Sequence, residues 1–411
     1  MSCFLPANIL LPRGIDLETW AVIACDQFSS EPEYWQRVRS RVGEAPSALH
    51  LIFPEAELRN EPESRIAAIQ ACMTAYERRG LFQCLENSFV YVERTLSDGT
   101  IRRGLVGMLD LERYDYNAET DAAVRATERT VVERIPPRVK IREGASLELP
   151  HALLLCDDEE DVILRPLERE HTEPLYDFEL MEGGGHVRGW HIHGSEAEAA
   201  CARIKAYEHD TALRYTDLGR NPMLYAVGDG NHSLATAKAC YEKLRQTLGS
   251  EAAALHPARF AMVELENLHD DAQRFEPIHR IVTKTDAHAL LKAARREIGS
   301  PDGGIELRWF SAGETGTLRL DPERGGLAVG VLQDFLDVWL KDHPGEIDYI
   351  HGEESLRKLS HEKSSIGFLL PEVKKNAFFR SIMTDGVLPR KTFSMGNARN
   401  KRYYLEARRI L

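Results

Sequence analysis

The sequence of 411 residues is poor in cysteine and has no cysteine pattern that would stabilise a small fold. Its 7 cysteines are dispersed, odd in number, and never form a C-x-x-C pair. This distribution excludes a disulfide framework and a zinc ribbon, and it is typical of reduced thiols that pack in a core. Cys25 follows an apolar run and could expose a nucleophile. Because no base is recognisable beside it, we interpret it as a structural thiol.

Long apolar runs are also missing. No window approaches the ~18 uninterrupted apolar residues of a membrane-spanning helix, and the apolar run at residues 9–11 is ended by Pro12. A secretory leader does not fit this N-terminal sequence. We therefore expect a cytoplasmic protein without a membrane partner.

Basic side chains are fewer than acidic ones. The sequence has 52 basic and 65 acidic side chains, which give a net charge of -13. A protein that binds DNA through its overall field needs clustered lysine and arginine. No helix-turn-helix segment is recognisable either. The composition argues against nucleic acid and favours a small-molecule ligand as the main partner, and it leaves the oligomeric state undetermined.

The common nucleotide and hydrolase motifs are absent as well, including the P-loop, the dinucleotide-binding glycine motif, H-E-x-x-H and G-x-S-x-G. What is present is a succession of short β-runs and amphipathic helices without repeats, which predicts an α+β (mixed α/β) fold. Asp98-Gly99 predicts one hairpin turn, and the glycines at 183–185 predict a second. The length predicts two or three lobes, and from the order of the predicted elements we place a division between an N-terminal lobe, residues 1–195, and a second lobe, residues 196–411.

The most informative segment has the sequence G-D-G-N-H-S and joins a predicted strand to a predicted helix. Gly228 and Gly230 allow a sharp turn and close backbone approach, and the helix start favours an anion such as phosphate. The remaining members of the turn are polar: Asp229, Asn231, His232 and Ser233. We predict that Asp229 holds Mg²⁺ or accepts a proton, that His232 donates a hydrogen bond or a proton, and that Ser233 caps the helix or contacts phosphate. The alternative is a well-capped turn without a ligand.

Two further segments combine basic and polar side chains. His279 and Arg280 end a predicted strand, where the planar guanidinium suits an anion, although an edge-strand arginine exposed to water is the alternative. Lys391 and Thr392 lie in a basic, hydroxyl-rich loop that suits phosphate, although ordinary exposed loops have the same composition.

Arg125 and Glu128 begin a strongly charged stretch. We predict that the basic pair Arg125 and Arg129, beside the Glu128 carboxylate, lines a phosphate site, and the alternative is a solvated charged helix face. His191 and His193 share one face of a predicted strand and were considered as zinc ligands. No carboxylate or cysteine at a recognisable spacing completes that set, so we do not predict a metal there.

Several of these motifs occur together in a particular order. The set D-G-x-H at 229–232, P-I-H-R at 277–280, I-D-Y-I-H-G at 347–352 and P-x-K-T at 389–392 resembles the bacterial and archaeal family catalogued as domain of unknown function 1015. The N-terminal half carries further segments similar to that family: C-D-Q-F at 25–28, Y-W at 34–35, T-E at 127–128 and Arg138. The resemblance covers nearly the whole chain.

The D-G-x-H turn also resembles the phosphate-binding turn of the ParB and sulfiredoxin superfamily, which includes CTP-binding partition proteins and kinases of free serine. This resemblance implies a ParB/sulfiredoxin-like core with an additional N-terminal α+β lobe, and it implies that Gly230, Asn231 and His232 wrap nucleotide phosphates. The usual motif is D-G-H-H-R. Asn231 and Ser233 replace its first histidine and its arginine here, which removes one cationic phosphate ligand.

The leading functional hypothesis is a Mg²⁺-dependent phosphotransferase that acts on a serine-like small molecule, with ATP or ADP as the candidate donor. In this hypothesis Asp229 or Glu128 holds the metal or activates the acceptor hydroxyl, and Arg280 and Lys391 balance the phosphate charge. The alternative is a regulator that binds the same nucleotide or metabolite without turnover.

Overall fold

The structure is a computed structural model that describes residues 2–57, 62–128, 135–149, 152–169, 172–321, 327–389, 391–396 and 398–411. The chain divides into two compact units. The larger unit is Met1–Gln273 with Gly396–Leu411, and the smaller unit is Arg274–Met395. The division predicted between residues 195 and 196 falls inside the larger unit.

Strands occur throughout both units. They are β1 (Phe4–Leu5), β2 (Ala7–Pro12), β3 (Val22–Ile23), β4 (Phe82–Thr95), β5 (Ile101–Asp110), β6 (Tyr114–Asp115), β7 (Val124–Ala126), β8 (Leu147–Glu148), β9 (Ala152–Cys156), β10 (Tyr176–Glu179), β11 (His186–Ile192), β12 (Tyr225–Asp229), β13 (Phe260–Asn267), β14 (Phe275–Thr283), β15 (Ile305–Ser311), β16 (Glu314–Leu320), β17 (Glu346–His351), β18 (Ile366–Leu369), β19 (Phe393–Met395), β20 (Tyr403–Tyr404) and β21 (Arg408–Arg409).

Helices alternate with these strands. They are α1 (Leu17–Trp20), α2 (Pro32–Val42), α3 (Pro62–Arg78), α4 (Ile135–Arg142), α5 (Gly194–Arg214), α6 (Asn231–Leu248), α7 (Ser250–Ala254), α8 (Ala287–Glu297), α9 (Ala328–Asp342), α10 (Glu353–Leu359) and α11 (Lys375–Asp385). Among the described residues, no helix combines the length and the apolar character needed to cross a membrane.

The larger unit is built on an 11-stranded sheet with the path β10-β11-β4-β5-β13-β9-β12-β7-β6, to which β1 and β2 are added at β5 and β4. Most neighbours are antiparallel, but β9 pairs parallel to β13, and β7 pairs parallel to both β12 and β6. The predicted mixed α/β class is therefore confirmed.

Both predicted hairpins are present in this sheet. β4 and β5 pair from Thr95 and Ile101 onward, and Gly99 adopts the positive φ of 82° that favours glycine in the turn. β10 and β11 pair around the glycines at 183–185. These turns could be predicted because their backbone conformation demands a particular residue type.

Helix α6 packs one apolar stripe against the sheet. Leu234, Ala237 and Tyr241 are buried at helical spacing and join a core cluster that includes strand residues of β9, β12 and β13. Because this face is fixed in the core, the N-terminus of α6 is held directly after β12. The strand-to-helix turn thus has a defined position at one edge of the sheet.

The smaller unit has a 6-stranded sheet with the path β16-β15-β18-β14-β17, and β19 pairs with β14. Its pairs are all antiparallel among the described strands. Helices α8 and α9 contribute Leu290, Leu332 and Leu336 to the core of this unit, where they are fully buried. β14 lies between β17 and β18, so the strand that carries His279 and Arg280 is central rather than an edge.

Candidate functional site

The G-D-G-N-H-S turn connects β12 to α6. β12 ends at Asp229, Gly230 has a positive φ of 79°, and α6 begins at Asn231. A left-handed backbone at Gly230 is costly for residues with a Cβ, so glycine is the residue that permits this turn. Among the described residues no side chain caps α6, because Gly230 occupies the N-cap position and Ser233 lies inside the helix.

The start of α6 is therefore suited to an anion. The first backbone N–H groups of a helix have no partners within the helix, and the aligned peptide dipoles place partial positive charge there. In α6 the first helical hydrogen bond runs from the Leu234 N–H to the Gly230 carbonyl at 3.0 Å. A phosphate or carboxylate at this end would gain both the hydrogen bonds and the dipole interaction.

A second strand ends beside the turn. β7 and β12 are parallel, with Ala126 in register with Val227, and the Thr127 hydroxyl donates to the Val227 carbonyl at 2.7 Å. Glu128 and Asp229 each lie two residues beyond this register pair, so both carboxylates lie at the same edge of the sheet. Both side chains are half-buried.

Lys401 also lies at this edge of the sheet, and it was not predicted as a site residue from the sequence. Its Nζ lies 3.3 Å from Asp229 Oδ2, while Asp229 Oδ1 accepts a hydrogen bond from the Gly230 N–H at 3.0 Å. Both oxygens of the carboxylate are thus engaged. The only sequence signal was that Lys401 belongs to a basic C-terminal run, which does not indicate where the run lies.

Arg94 fixes the segment that carries Lys401. Its buried guanidinium donates to the carbonyls of Gly184 at 2.8 Å and Arg399 at 2.6 Å, and it also donates to the Lys401 carbonyl. Arg102 donates to the Asn400 carbonyl at 2.8 Å. Burial, reinforced by the charge of Arg102, lowers the pKa of Arg94 to about 9. Two arginines therefore hold the backbone from which Lys401 reaches Asp229.

A cavity of about 160 Å³ opens next to α6, and it extends from Ser233 to Cys25. Its lining is largely apolar and comes from several elements of the larger unit: Leu51, Ile52, Phe53, Met73, Leu147, Ala261 and Met262. The polar lining includes two ion pairs, Arg138 with Glu55 and Arg142 with Glu148. The cavity offers an apolar wall with charges at selected positions, as small-molecule sites commonly do.

The pKa values of two groups that line the cavity are shifted in opposite directions from their ordinary values. Burial raises the pKa of Cys25 to about 11, so the thiol is protonated at neutral pH, as expected for a structural thiol. Burial also opposes ionisation of Glu148, but Arg142 and Arg408 outweigh it and lower the pKa of Glu148. The cavity therefore contains an inert thiol and an ionised, fully paired carboxylate.

Arg125 lies in the same unit but does not face open solvent. Only 3% of its surface is exposed, and its guanidinium donates to the carbonyls of Ala122 at 2.8 Å and Asn221. The charged stretch is therefore not a uniformly solvated face at this residue. Its continuation at 129–134 lies outside the described residues. The phosphate-binding role of Arg125 stays a prediction.

The other predicted residues lie in the smaller unit. Arg280 is 0% exposed, and its guanidinium donates to Gln333 Oε1 at 2.7 Å and to the carbonyls of Ile278 at 2.6 Å and Lys391 at 2.9 Å. The alternative of an exposed edge-strand arginine is therefore wrong. The guanidinium also stacks over the ring of Tyr349, 4.6 Å from its centroid.

The neighbours of Arg280 are bonded within the same unit. His279 is buried, and its Nδ1 accepts a hydrogen bond from the Leu370 N–H at 3.2 Å. Thr392 is buried and donates to the Pro389 carbonyl at 2.7 Å. Lys391 is exposed, with its Nζ 4.8 Å from the centroid of Tyr349. Their phosphate-binding roles stay predictions.

The oxygen atoms around the turn suit a hard divalent cation. Asn231 Oδ1 is buried and has no hydrogen-bond partner among the described residues, and Asp229, two residues earlier in the sequence, supplies a carboxylate. Such oxygens are the ligands that Mg²⁺ prefers. Lys401 already balances the single negative charge of Asp229.

His191 and His193 stack with their ring centroids 4.3 Å apart, and His191 Nε2 lies 2.9 Å from the Ser88 hydroxyl.

Comparison with known proteins gives one family match. The model of the family described as "Protein of unknown function (DUF1015)" matches residues 10–405. No curated protein matches the chain.

Some solved structures are similar to the chain at low identity. A free serine kinase in complex with AMP is 12% identical, with 72% of this chain and 90% of that chain covered and a TM-score of 0.37. SbnI with a C-terminal truncation, from Staphylococcus aureus, is 9% identical, with 71% and 83% covered and a TM-score of 0.35. A conserved hypothetical protein from Pyrococcus furiosus is 13% identical, with 73% and 90% covered and a TM-score of 0.32.

Proposed function

The chain belongs to the DUF1015 family, and from the geometry of its strand-to-helix turn we propose that it binds a phosphorylated small molecule or nucleotide there. The observation that carries the proposal is the uncapped start of α6 at the left-handed Gly230, with the Lys401 and Asp229 ion pair beside it. An anion-accepting backbone and a cation are thus supplied at one place.

Lys401 compensates for a substitution within the turn. The resembled motif ends in arginine, whereas this chain has Ser233. A lysine is a point charge that binds phosphate without the planar geometry of arginine. We propose that the Lys401 ammonium contacts a phosphate oxygen, and that the backbone at Gly230 and the Ser233 hydroxyl contact the others.

The cavity next to Ser233 can hold the part of the ligand that carries no phosphate. Its wall is largely apolar, and its volume of about 160 Å³ is similar to that of an apolar cavity of about 150 Å³ that binds benzene. We propose that an uncharged group of the ligand enters this cavity while its phosphate remains at the turn. Burial of apolar surface stabilises such a complex by about 25 cal/mol per Å² before the costs of association.

The finer proposal is a phosphotransferase that uses a hydroxyl acceptor such as serine. The phosphoryl group would move from ATP or ADP to the acceptor oxygen, the bond to the leaving phosphate would break, and the acceptor proton would pass to the Glu128 or Asp229 carboxylate. His232 would donate a hydrogen bond to the phosphate. Where Glu128 accepts the proton, Asp229 and Asn231 Oδ1 would hold Mg²⁺, which would neutralise charge on the phosphates. Positioning and charge neutralisation dominate this chemistry.

A thermal-shift screen tests the binding proposal. The purified full chain is tested with nucleotides, phosphorylated metabolites and amino acids, each with and without Mg²⁺. A ligand at a hundred times its dissociation constant should stabilise the protein by about 2.7 kcal/mol. We expect a Mg²⁺-dependent nucleotide shift that Asp229→Ala reduces and the control Asp210→Ala, an exposed aspartate of α5, retains. Stabilisation only by ligands without phosphate would contradict the proposal.

A turnover assay separates the enzyme from the regulator. The ligand found in the screen is incubated with radiolabelled ATP or ADP and candidate hydroxyl acceptors, with serine first. Transfer of label that Glu128→Gln abolishes, with ligand affinity retained, would support the phosphotransferase. Ligand binding without transfer to any acceptor would contradict the phosphotransferase and support the regulator.

A further inference from the structure

A second group of polar side chains gathers where β9 and β13 end. These strands are parallel neighbours, with Leu154 in register with Leu265, so their carboxyl ends meet at one edge of the sheet. Asp157 follows β9 directly, and His269 lies two residues beyond β13. β12 runs antiparallel to β9, so Asp229 lies toward the opposite edge. The carboxyl ends of parallel strands are a frequent location of binding sites.

Three side chains of this group bring potential metal-ligand atoms close to one another. One ligand atom each from Asp157, Glu159 and His269 lies within 4.8 Å of the others. Asp157 Oδ1 lies 2.6 Å from His269 Nε2. Metal-ligand bonds of about 2.0–2.2 Å require neighbouring ligand atoms to be somewhat more than 3 Å apart. An ion would therefore replace the direct contact between Asp157 and His269, and Glu159, which is exposed, can turn toward it.

Asp157 is oriented by groups outside the cluster. It is 4% exposed, and its Oδ2 accepts hydrogen bonds from the Tyr215 hydroxyl at 2.5 Å and from Arg214 Nη1 at 2.9 Å. Oδ1 is thereby turned toward His269. Partners of this kind fix the orientation of a metal-binding carboxylate.

We propose that Asp157, Glu159 and His269 bind a divalent transition-metal ion. Two carboxylate oxygens and one imidazole nitrogen suit Zn²⁺ or Mn²⁺ better than Mg²⁺ or Ca²⁺, which prefer oxygen ligands alone. Three protein ligands leave a fourth position for water. Metal binding would join the turn after β9 to the turn after β13 and stabilise the larger unit. The inference does not depend on the proposed phosphate site.

Titration calorimetry with zinc tests this inference. The full chain is freed of metal with a chelator and titrated with ZnCl₂. We expect one site per chain that Glu159→Gln and His269→Gln each weaken by about tenfold or more. Glu160→Gln is the matched control, since Glu160 is an equally exposed neighbour outside the cluster.

Further variants keep the test decisive. Glu159→Gln changes an exposed side chain, so its melting temperature without metal should equal that of the wild type, and only the increase caused by zinc should be lost. Asp229→Asn should leave zinc affinity unchanged. The inference is overturned if the wild type binds no zinc, or if both Glu159→Gln and His269→Gln retain the site, because the ion then binds elsewhere, for example at the cysteines or at His191 and His193.

Discussion

Two regions of the molecule contain similar basic and polar residues but differ in how completely those residues are hydrogen-bonded. At the β12 to α6 turn of the larger unit, the helix start has no side-chain cap and Asn231 Oδ1 has no partner among the described residues. Around Arg280 of the smaller unit, the guanidinium is fully buried and donates to Gln333 and to two carbonyls. Both regions combine basic and polar side chains that suit a phosphate.

The difference shows that hydrogen-bond saturation, rather than residue type, separates a candidate binding site from a structural network. A buried guanidinium that donates to several protein acceptors stabilises the fold and leaves few N–H groups for a phosphate. A helix start or an amide oxygen without a partner retains that capacity. We therefore expect substitutions around Arg280 to affect mainly stability, and substitutions around the turn to affect mainly ligand binding.

The largest expected effect is at Arg280. Arg280→Ala should destabilise the smaller unit by about 3–5 kcal/mol, because it leaves buried carbonyls and Gln333 without their donor. Urea unfolding followed by tryptophan fluorescence measures this loss, since Trp309 and Trp339 lie in that unit. Arg296→Ala is the control, because Arg296 is an exposed arginine of the same unit whose side chain is 77% exposed. A loss below about 1 kcal/mol would contradict the structural assignment.

Arg125 is a second buried arginine, and it lies in the larger unit. Arg125→Gln should destabilise the protein by about 1–3 kcal/mol, because the carbonyls of Ala122 and Asn221 lose a buried donor. Ligand affinity measured by calorimetry should change less than twofold if the side chain is structural. A tenfold loss of affinity without a loss of stability would instead support the predicted role of Arg125 in binding phosphate.

A smaller effect is expected at Gly230. Gly230→Ala should cost about 1–2 kcal/mol of stability, because the left-handed backbone is unfavourable for a residue with a Cβ. Gly330→Ala in α9 is the matched control, since its new Cβ would meet open space in a helix, and it should stabilise by about 0.5–1 kcal/mol. Equal effects in thermal unfolding would show that the turn does not require glycine.

The smallest effect is the pH dependence that comes from His279. Burial lowers its pKa below the ordinary 6.5, and its Nδ1 acts as an acceptor, which requires the neutral ring. As the pH falls below about 6.5, the unfolded chain binds a proton that the folded unit does not, so stability decreases. Stability measured between about pH 7.5 and about pH 5.5 should fall less in His279→Asn. An unchanged slope would contradict this assignment.

The turn could be predicted because local chemistry determines it. A glycine between an apolar strand and an amphipathic helix is visible in the sequence, and so are the polar residues that the turn carries. The hairpin at Gly99 was predictable for the same reason. In each case one residue type satisfies a backbone requirement that does not depend on distant parts of the chain.

Long-range packing could not be predicted. Lys401 reaches Asp229 because Arg94 binds carbonyls of the C-terminal segment, and no spacing in the sequence indicates that contact. Arg280 is bonded to Gln333 of α9, which is likewise remote in sequence. The predicted division at residue 195 lies within α5, and the pairing of β9 with β13 joins segments on both sides of that position.

The central claim is that the turn and Lys401 together bind phosphate, and titration calorimetry with ADP tests it most directly. The wild type, Lys401→Gln and the control Lys205→Gln, an exposed lysine of α5, are compared at one salt concentration. We predict that Lys401→Gln weakens binding by about tenfold or more, equivalent to about 1.4 kcal/mol, while Lys205→Gln binds as the wild type does. Equal affinities of the three proteins for ADP, or no binding to the wild type, would contradict the claim.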